Sequence, residues 1–136
     1  VGSTRIKSNR LSFRLGDGEA DFWADLSEVV MDADRTYVPL LAGGYRAREE
    51  WFFDVSAIQS TAPGSFWTFL FDHAGEMHPF GYAPHGNPIP TVDEPHFTGI
   101  VQMPARPSLG GAASPDGEYS FDARLFIISG PLRVTE

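Results

Sequence analysis

"REEWFFDVSAI", Arg48 to Ile58, is the stretch on which the fold turns. Trp51, Phe53, Val55 and Ala57 alternate with Phe52, Asp54, Ser56 and Ile58. An extended chain sends the first set to one side and the more polar second set to the other, whereas a helix would scatter both around its girth. The period is two, and a strand is predicted.

The same period recurs on either side. Glu118–Ile128 sets Tyr119, Phe121, Ala123, Leu125 and Ile127 against Ser120, Asp122, Arg124, Phe126 and Ile128. "DFWADLSEVVM", Asp21–Met31, puts Phe22, Ala24, Leu26 and Val30 on one face, with Glu28 as its exception, and Trp23, Asp25, Ser27 and Val29 on the other. His96–Met103 is a shorter strand, and "RLSFRL" and "PLRVT" read as end strands. "LGDGEAD" lacks the spacing of a calcium loop and reads as a polar hairpin turn. The chain is mainly β.

One segment has another period. In "TAPGSFWTFLFDHAG", Phe66 and Leu70, Trp67 and Phe71, and Leu70 and Ala74 stand four apart. This spacing predicts a helix of about three turns, capped by Thr61, with Pro63 in its first turn and Gly75 as a left-handed stop. Three long connections remain: Asp32–Ala47, carrying Tyr37, Val38, Leu40, Leu41 and Tyr45; Pro84–Pro95; and Pro104–Gly117. Loops of that length usually serve a purpose, and apolar residues on one bury against a partner or fold back.

At 136 residues, with 42% apolar and 13% aromatic content, one domain with a real core is expected. No cysteine is present, so disulfide and thiolate chemistry are excluded. No apolar run approaches a membrane span, and "VGSTRIKSNR" has no signal-peptide core; a soluble chain is expected, kept in a cytoplasm or built into a particle. Arg5, Lys7, Arg10 and Arg14 give residues 1–14 a charge of +4, against −12 for residues 15–136. A body so acidic repels phosphate backbones and argues against nucleic-acid affinity.

Three of the four histidines lie in "FDHAGEMHPFGYAPHGN", Phe71–Asn87. A helical zinc site wants two imidazoles four apart on one face. His73 and His78 are five apart across the stop at Gly75, so no regular element fixes their relative direction. Bland roles are expected instead: His73 at the negative end of a helix, His85 bracing a loop whose turn Gly86 and Asn87 supply. No G-x-S-x-G elbow occurs, and adjacent acids such as Asp93 and Glu94 would face opposite ways on a strand. Neither a catalytic set nor a metal set is predicted, and no cofactor.

With these elements placed, the chain resembles the major tail (tail-tube) proteins of long-tailed bacteriophages, particularly those infecting actinobacteria. The residues that carry the likeness are "FDVSAIQSTAPGSFWTFLFDHAGEMHPFGYAPHGN" (Phe53–Asn87), "PHFTGIV" (Pro95–Val101) and "GEYSFDARLFI" (Gly117–Ile127). It spans roughly residues 10–135, in the order strand, helix, "DHAG", strand, "YAPHGN" loop, "HFTG" strand.

The resemblance implies an arm at residues 1–9 and a single domain at 10–136. That domain would be a β-sandwich or half-open barrel with one flanking helix, completed by assembly into hexameric rings. Rings would stack into a hollow tube that conducts the viral genome, placing the chain in the virion tail and, during assembly, in the host cytoplasm. The implied partners are further copies of itself, tape-measure protein, tail terminator and distal tail or baseplate proteins. Double-stranded DNA would pass without specific binding.

On this expectation Asp25, Ser27, Asp54, Ser56, Ser120, Asp122 and Arg124 would line the lumen. Tyr37, Val38, Leu40, Leu41 and Tyr45, on a long loop at 32–47, would reach the next ring, and Arg5, Lys7 and Arg10 would make arm contacts. Rival expectations are a carbohydrate-binding barrel using Trp23, Trp51 and Tyr82, a metal-dependent enzyme built on His73, His78 and His96, and the inner tube of a contractile injection device.

Overall fold

The computed structural model describes residues 2–7, 9–16, 20–113 and 117–136. Among these residues seven strands form one antiparallel sheet: β1 (Ser12–Leu15), β2 (Ala20–Asp21), β3 (Leu26–Pro39), β4 (Tyr45–Ile58), β5 (Met77–Ala83), β6 (His96–Gln102) and β7 (Ser120–Val134). Their order is β2-β1-β5-β6-β7-β4-β3. One helix, α1 (Phe66–Asp72), packs on the core. Among the described residues no helix is long and apolar enough to cross a membrane.

The sheet is coiled on itself. Phe13 of β1 and Phe53 of β4 stand four strand positions apart in the order, which in a flat sheet would separate them by about 19 Å. Their ring centroids are 4.9 Å apart. Phe80 and Tyr82 of β5 close on Phe53 at 5.0 and 5.6 Å, and Phe66 of α1 lies 6.1 Å from Phe121 of β7. These rings, with Leu15, Leu70, Val101 and Leu125, make one contiguous core. The pairs around Phe53 meet edge to face, positive edge on negative face, while Phe66 and Phe121 are stacked.

Alternation in Arg48–Ile58 appears in part: Phe53, Val55 and Ala57 are buried and Asp54, Ser56 and Ile58 less so, but Trp51 is only half-buried, and Phe52 on the opposite face is buried, its ring covered by the Arg124 guanidinium. On β7, Phe121 and Leu125 are buried and Phe126 is exposed. That strand runs on to Val134, so "PLRV" of the expected end strand is its last four residues rather than a separate strand.

Four expectations need correction. Asp21–Met31 is not one strand: Asp21 Oδ1 accepts from the N–H of Phe13 and of Trp23, and the chain turns through a single 3-10 turn at Trp23–Asp25. A bulge between Leu26 and Glu28 then reverses the faces. Val29 and Met31 pack against the core and Val30 is exposed, the reverse of the assignment for the two valines.

The helix is two turns, not three. Ser65 rather than Thr61 is its cap, accepting from Thr68 N–H, and Pro63 lies outside it. Gly75 does adopt the left-handed conformation, at φ +80°.

Residues 32–47 are not a loop. They are the outer part of the β3–β4 hairpin, which is paired from Leu26↔Ala57 to Pro39↔Tyr45 and turns only at residues 40–44. The described residues of the other two connections (84–95, 104–113 and 117) form no strand or helix and are pinned by side chains. Asn87 Nδ2 donates to the carbonyls of Ile89 and Glu94, and Gln59 exchanges bonds with both backbone groups of Gly110. The tip of "LGDGEAD", at 17–19, is outside the described residues, but β1 and β2 flanking it pair antiparallel.

Candidate functional site

Away from the core, β3, β4 and β7 present a largely polar patch, interrupted by Val30 opposite Asp54 and bordered by the Phe52–Phe126 pair. Cross-strand register aligns Glu28 with Ser56, Asp54 with Arg124, and Ser56 with Asp122. Arg124 grips Asp54 with two bonds, Nε to Oδ1 at 2.8 Å and Nη2 to Oδ2 at 3.0 Å, and its guanidinium lies 3.9 Å from the centroid of Phe52. The bonded carboxylate makes Arg124 harder to deprotonate than usual. Ser56 Oγ donates to Asp122 Oδ1, and Ser27 Oγ to the Ser56 carbonyl. Ser120 pairs with Ile58 where the β4–β7 ladder ends.

Six of the seven expected lumen residues therefore fall on neighbouring strands. Asp25 is the exception. The 3-10 turn swings it away, and its Oδ2 accepts the N–H of Phe66, 3.0 Å distant, at the first residue of α1. A carboxylate at a helix start satisfies an orphan donor and complements the dipole, and that local reward outweighs continuing the strand.

The register also brings Asp32 and Asp34, which sequence spacing placed in a loop, and Glu50 of the predicted strand onto this face. Glu28, Asp54 and Asp122 line one hollow with Arg124, and Asp32 and Asp34 add to the negative field on it.

Beyond the core the hairpin continues as a two-stranded arm. Residues 34–50 are exposed without exception, among them Tyr37, Val38, Leu40, Leu41 and Tyr45. At the other end of the chain, Arg5, Lys7 and Arg10 line a hollow with His85 and Glu94, and Arg10 Nε donates to the His85 carbonyl. The basic arm lies against its own domain.

The aromatic residues of the carbohydrate expectation have separate duties. Tyr82 packs on Phe13 and Phe53, Trp51 sits beneath the Arg35 guanidinium, and Trp23 borders a hollow with Arg14 and Asn87.

The histidines divide. His96 is buried: Nε2 meets the Asn87 carbonyl at 2.8 Å and Nδ1 meets Arg14 Nη2 at 3.3 Å. A carbonyl only accepts and a guanidinium only donates, so the proton sits on Nε2. His96 is thereby removed from any set with His73 and His78. His85 approaches Glu94 to 3.6 Å, while Asn87 does more of the loop bracing than His85.

His73 and His78, expected to have no fixed relation, do converge. His73 Nδ1 and His78 Nε2 each lie 3.1 Å from the same oxygen of Glu76, Oε1. The left-handed Gly75 folds the chain back so that Glu76 N–H reaches the His73 carbonyl, and the three donor atoms fall within 4.8 Å of one another. The His73 bond foremost, with help from His78, holds the Glu76 carboxyl below its usual range. No spacing rule announces such a trio, because its geometry is made by one positive φ.

Compared with models of known protein families and with curated proteins, the chain matches neither a family nor a curated relative.

Proposed function

We propose that the chain is the structural subunit of a phage-type tail tube, in which hexameric rings stack around an acidic bore. The observation that carries this is the arm at 34–50, exposed on both faces and ending in Leu40 and Leu41. A two-stranded ribbon with apolar residues at its tip has no hydrophobic backing in its own domain, and a neighbouring copy would supply one. The outer edge of β3 adds fourteen residues of unpaired strand, a length that free-standing sheets usually avoid.

In a tube, that edge would pair with the next subunit, and the coiled sheets would complete one another as a half-open barrel. The polar face around Arg124, rich in carboxylates, would then turn toward the lumen. Six copies at −8 each place −48 on a ring, a sign that keeps DNA sliding instead of sticking. Tape-measure, terminator and distal tail or baseplate proteins would bind the tube's interior and ends. The same subunit design would serve a contractile injection device, and a sheath on the particle distinguishes the two.

Negative-stain microscopy of the concentrated protein is the direct test, with rings or hollow tubes expected. Substituting both Leu40→Asp and Leu41→Asp should leave a folded monomer that no longer polymerises. Tubes formed by that variant would overturn the role given to the arm.

A further inference from the structure

We propose that His73, Glu76 and His78 form a binding site for a borderline divalent cation of the zinc class. The ligands of a tetrahedral zinc, each about 2.0–2.1 Å from the metal, stand about 3.3 Å apart. Two of the three separations here are 3.1 Å, both measured from Glu76 Oε1. The third pair, the two imidazole nitrogens, lies within 4.8 Å and needs only a modest rotation to close.

The backbone under all three residues is fixed. His73 caps α1, its N–H bonded to the Phe69 carbonyl. The Glu76 carbonyl accepts from Met103 N–H at 2.7 Å, and His78 is held in the β5–β6 ladder opposite Val101. Phe69 forms a wall behind both rings, its centroid 4.6 Å from that of His73 and 5.3 Å from that of His78. The trio is thus assembled before any ion arrives, so binding does not have to order the chain.

Two imidazoles and one carboxylate suit zinc, nickel, cobalt or copper better than calcium or magnesium, which prefer oxygen-only shells. Without a cation, both ring nitrogens donate to one oxygen. On binding, each imidazole holds its proton on the other nitrogen and offers a lone pair. Three protein donors leave a fourth position for water. The ion would clip the C-terminal end of α1 to the start of β5. This inference is independent of the tail-tube proposal and holds for a monomer or an assembled chain.

Calorimetric titration of the chelator-treated full chain with zinc chloride at pH 7.5 tests it. One equivalent should bind, and His73→Ala, Glu76→Gln and His78→Gln should each weaken binding at least tenfold. Because a variant can change the fold, imidazole nitrogen resonances of the unmodified protein are followed in parallel, and His73 Nδ1 and His78 Nε2 should shift together. Absence of zinc uptake by the unmodified protein, uptake undiminished in all three variants, or shifts confined to His85 and His96 would each overturn the proposal.

Discussion

Asp32 shows how one side chain ties local geometry to pH. Its carboxylate accepts from the backbone N–H of Ala33 at 2.7 Å and from Arg35 Nη1 at 3.1 Å. The backbone bond foremost, and Arg35 next, lower its pKa from the ordinary 3.8, with Arg124 adding a weaker pull across the sheet. A carboxyl depressed in the folded state contributes stability that is present above the unfolded pKa and lost as pH falls through the folded one. Asp32→Asn should therefore lower the urea midpoint at pH 7, with the gap to the parent closing on acidification through pH 4 to pH 2. An equal gap at both ends of that range would show that the bonds to Asp32 carry no charge-linked stability. None of this was legible in the sequence, where Asp32 is one acid among seven between Asp17 and Asp34.

Among the elements, β4 and β7 were legible and β3 was not. Phe53–Ala57 of β4 and Phe121–Ile127 of β7 back onto the core, so burial imposes alternation there; Tyr45–Glu50 of β4 belongs to the exposed arm, and its first three residues read as loop. From Asp34 outward β3 faces water on both sides, and a strand under no burial constraint shows no period; "DRTYVP" therefore reads as loop. Its inner half was misassigned because a bulge inserts one residue, and one residue exchanges the faces. Helical spacing at 66–70 was read correctly, but it cannot tell Ser65 from Thr61 as the cap. The β6–β7 pairing holds a second irregularity, around Gly99, where the chains come unusually close. A Cβ at Gly99 would collide with the Ser129 carbonyl oxygen and come 2.8 Å from Phe80 Cε2. Gly99→Ala should cost about 1–3 kcal/mol in chemical denaturation, with loss of the near-ultraviolet signal of the packed aromatics if the sheet opens.

The whole molecule depends on the sheet's coiling, which brings Phe13, Phe53, Phe80 and Tyr82 together. Phe53 is fully buried at the centre of that group. Phe53→Ala should remove about 3–5 kcal/mol, a large share of the 5–15 kcal/mol typical of a domain, and lower the thermal midpoint accordingly. A loss below 1 kcal/mol would mean that the two ends of the sheet are not held by these rings. The arm obeys another rule, since it touches no core at all. Two strands without backing open locally at little cost, and Arg35, Arg46 and Arg48 are spaced along them. Within the sheet, trypsin would nick the chain there first, and the fragments would remain clasped, because on the core side of the cut β3 and β4 stay zipped from Leu26↔Ala57 to Ala33↔Trp51.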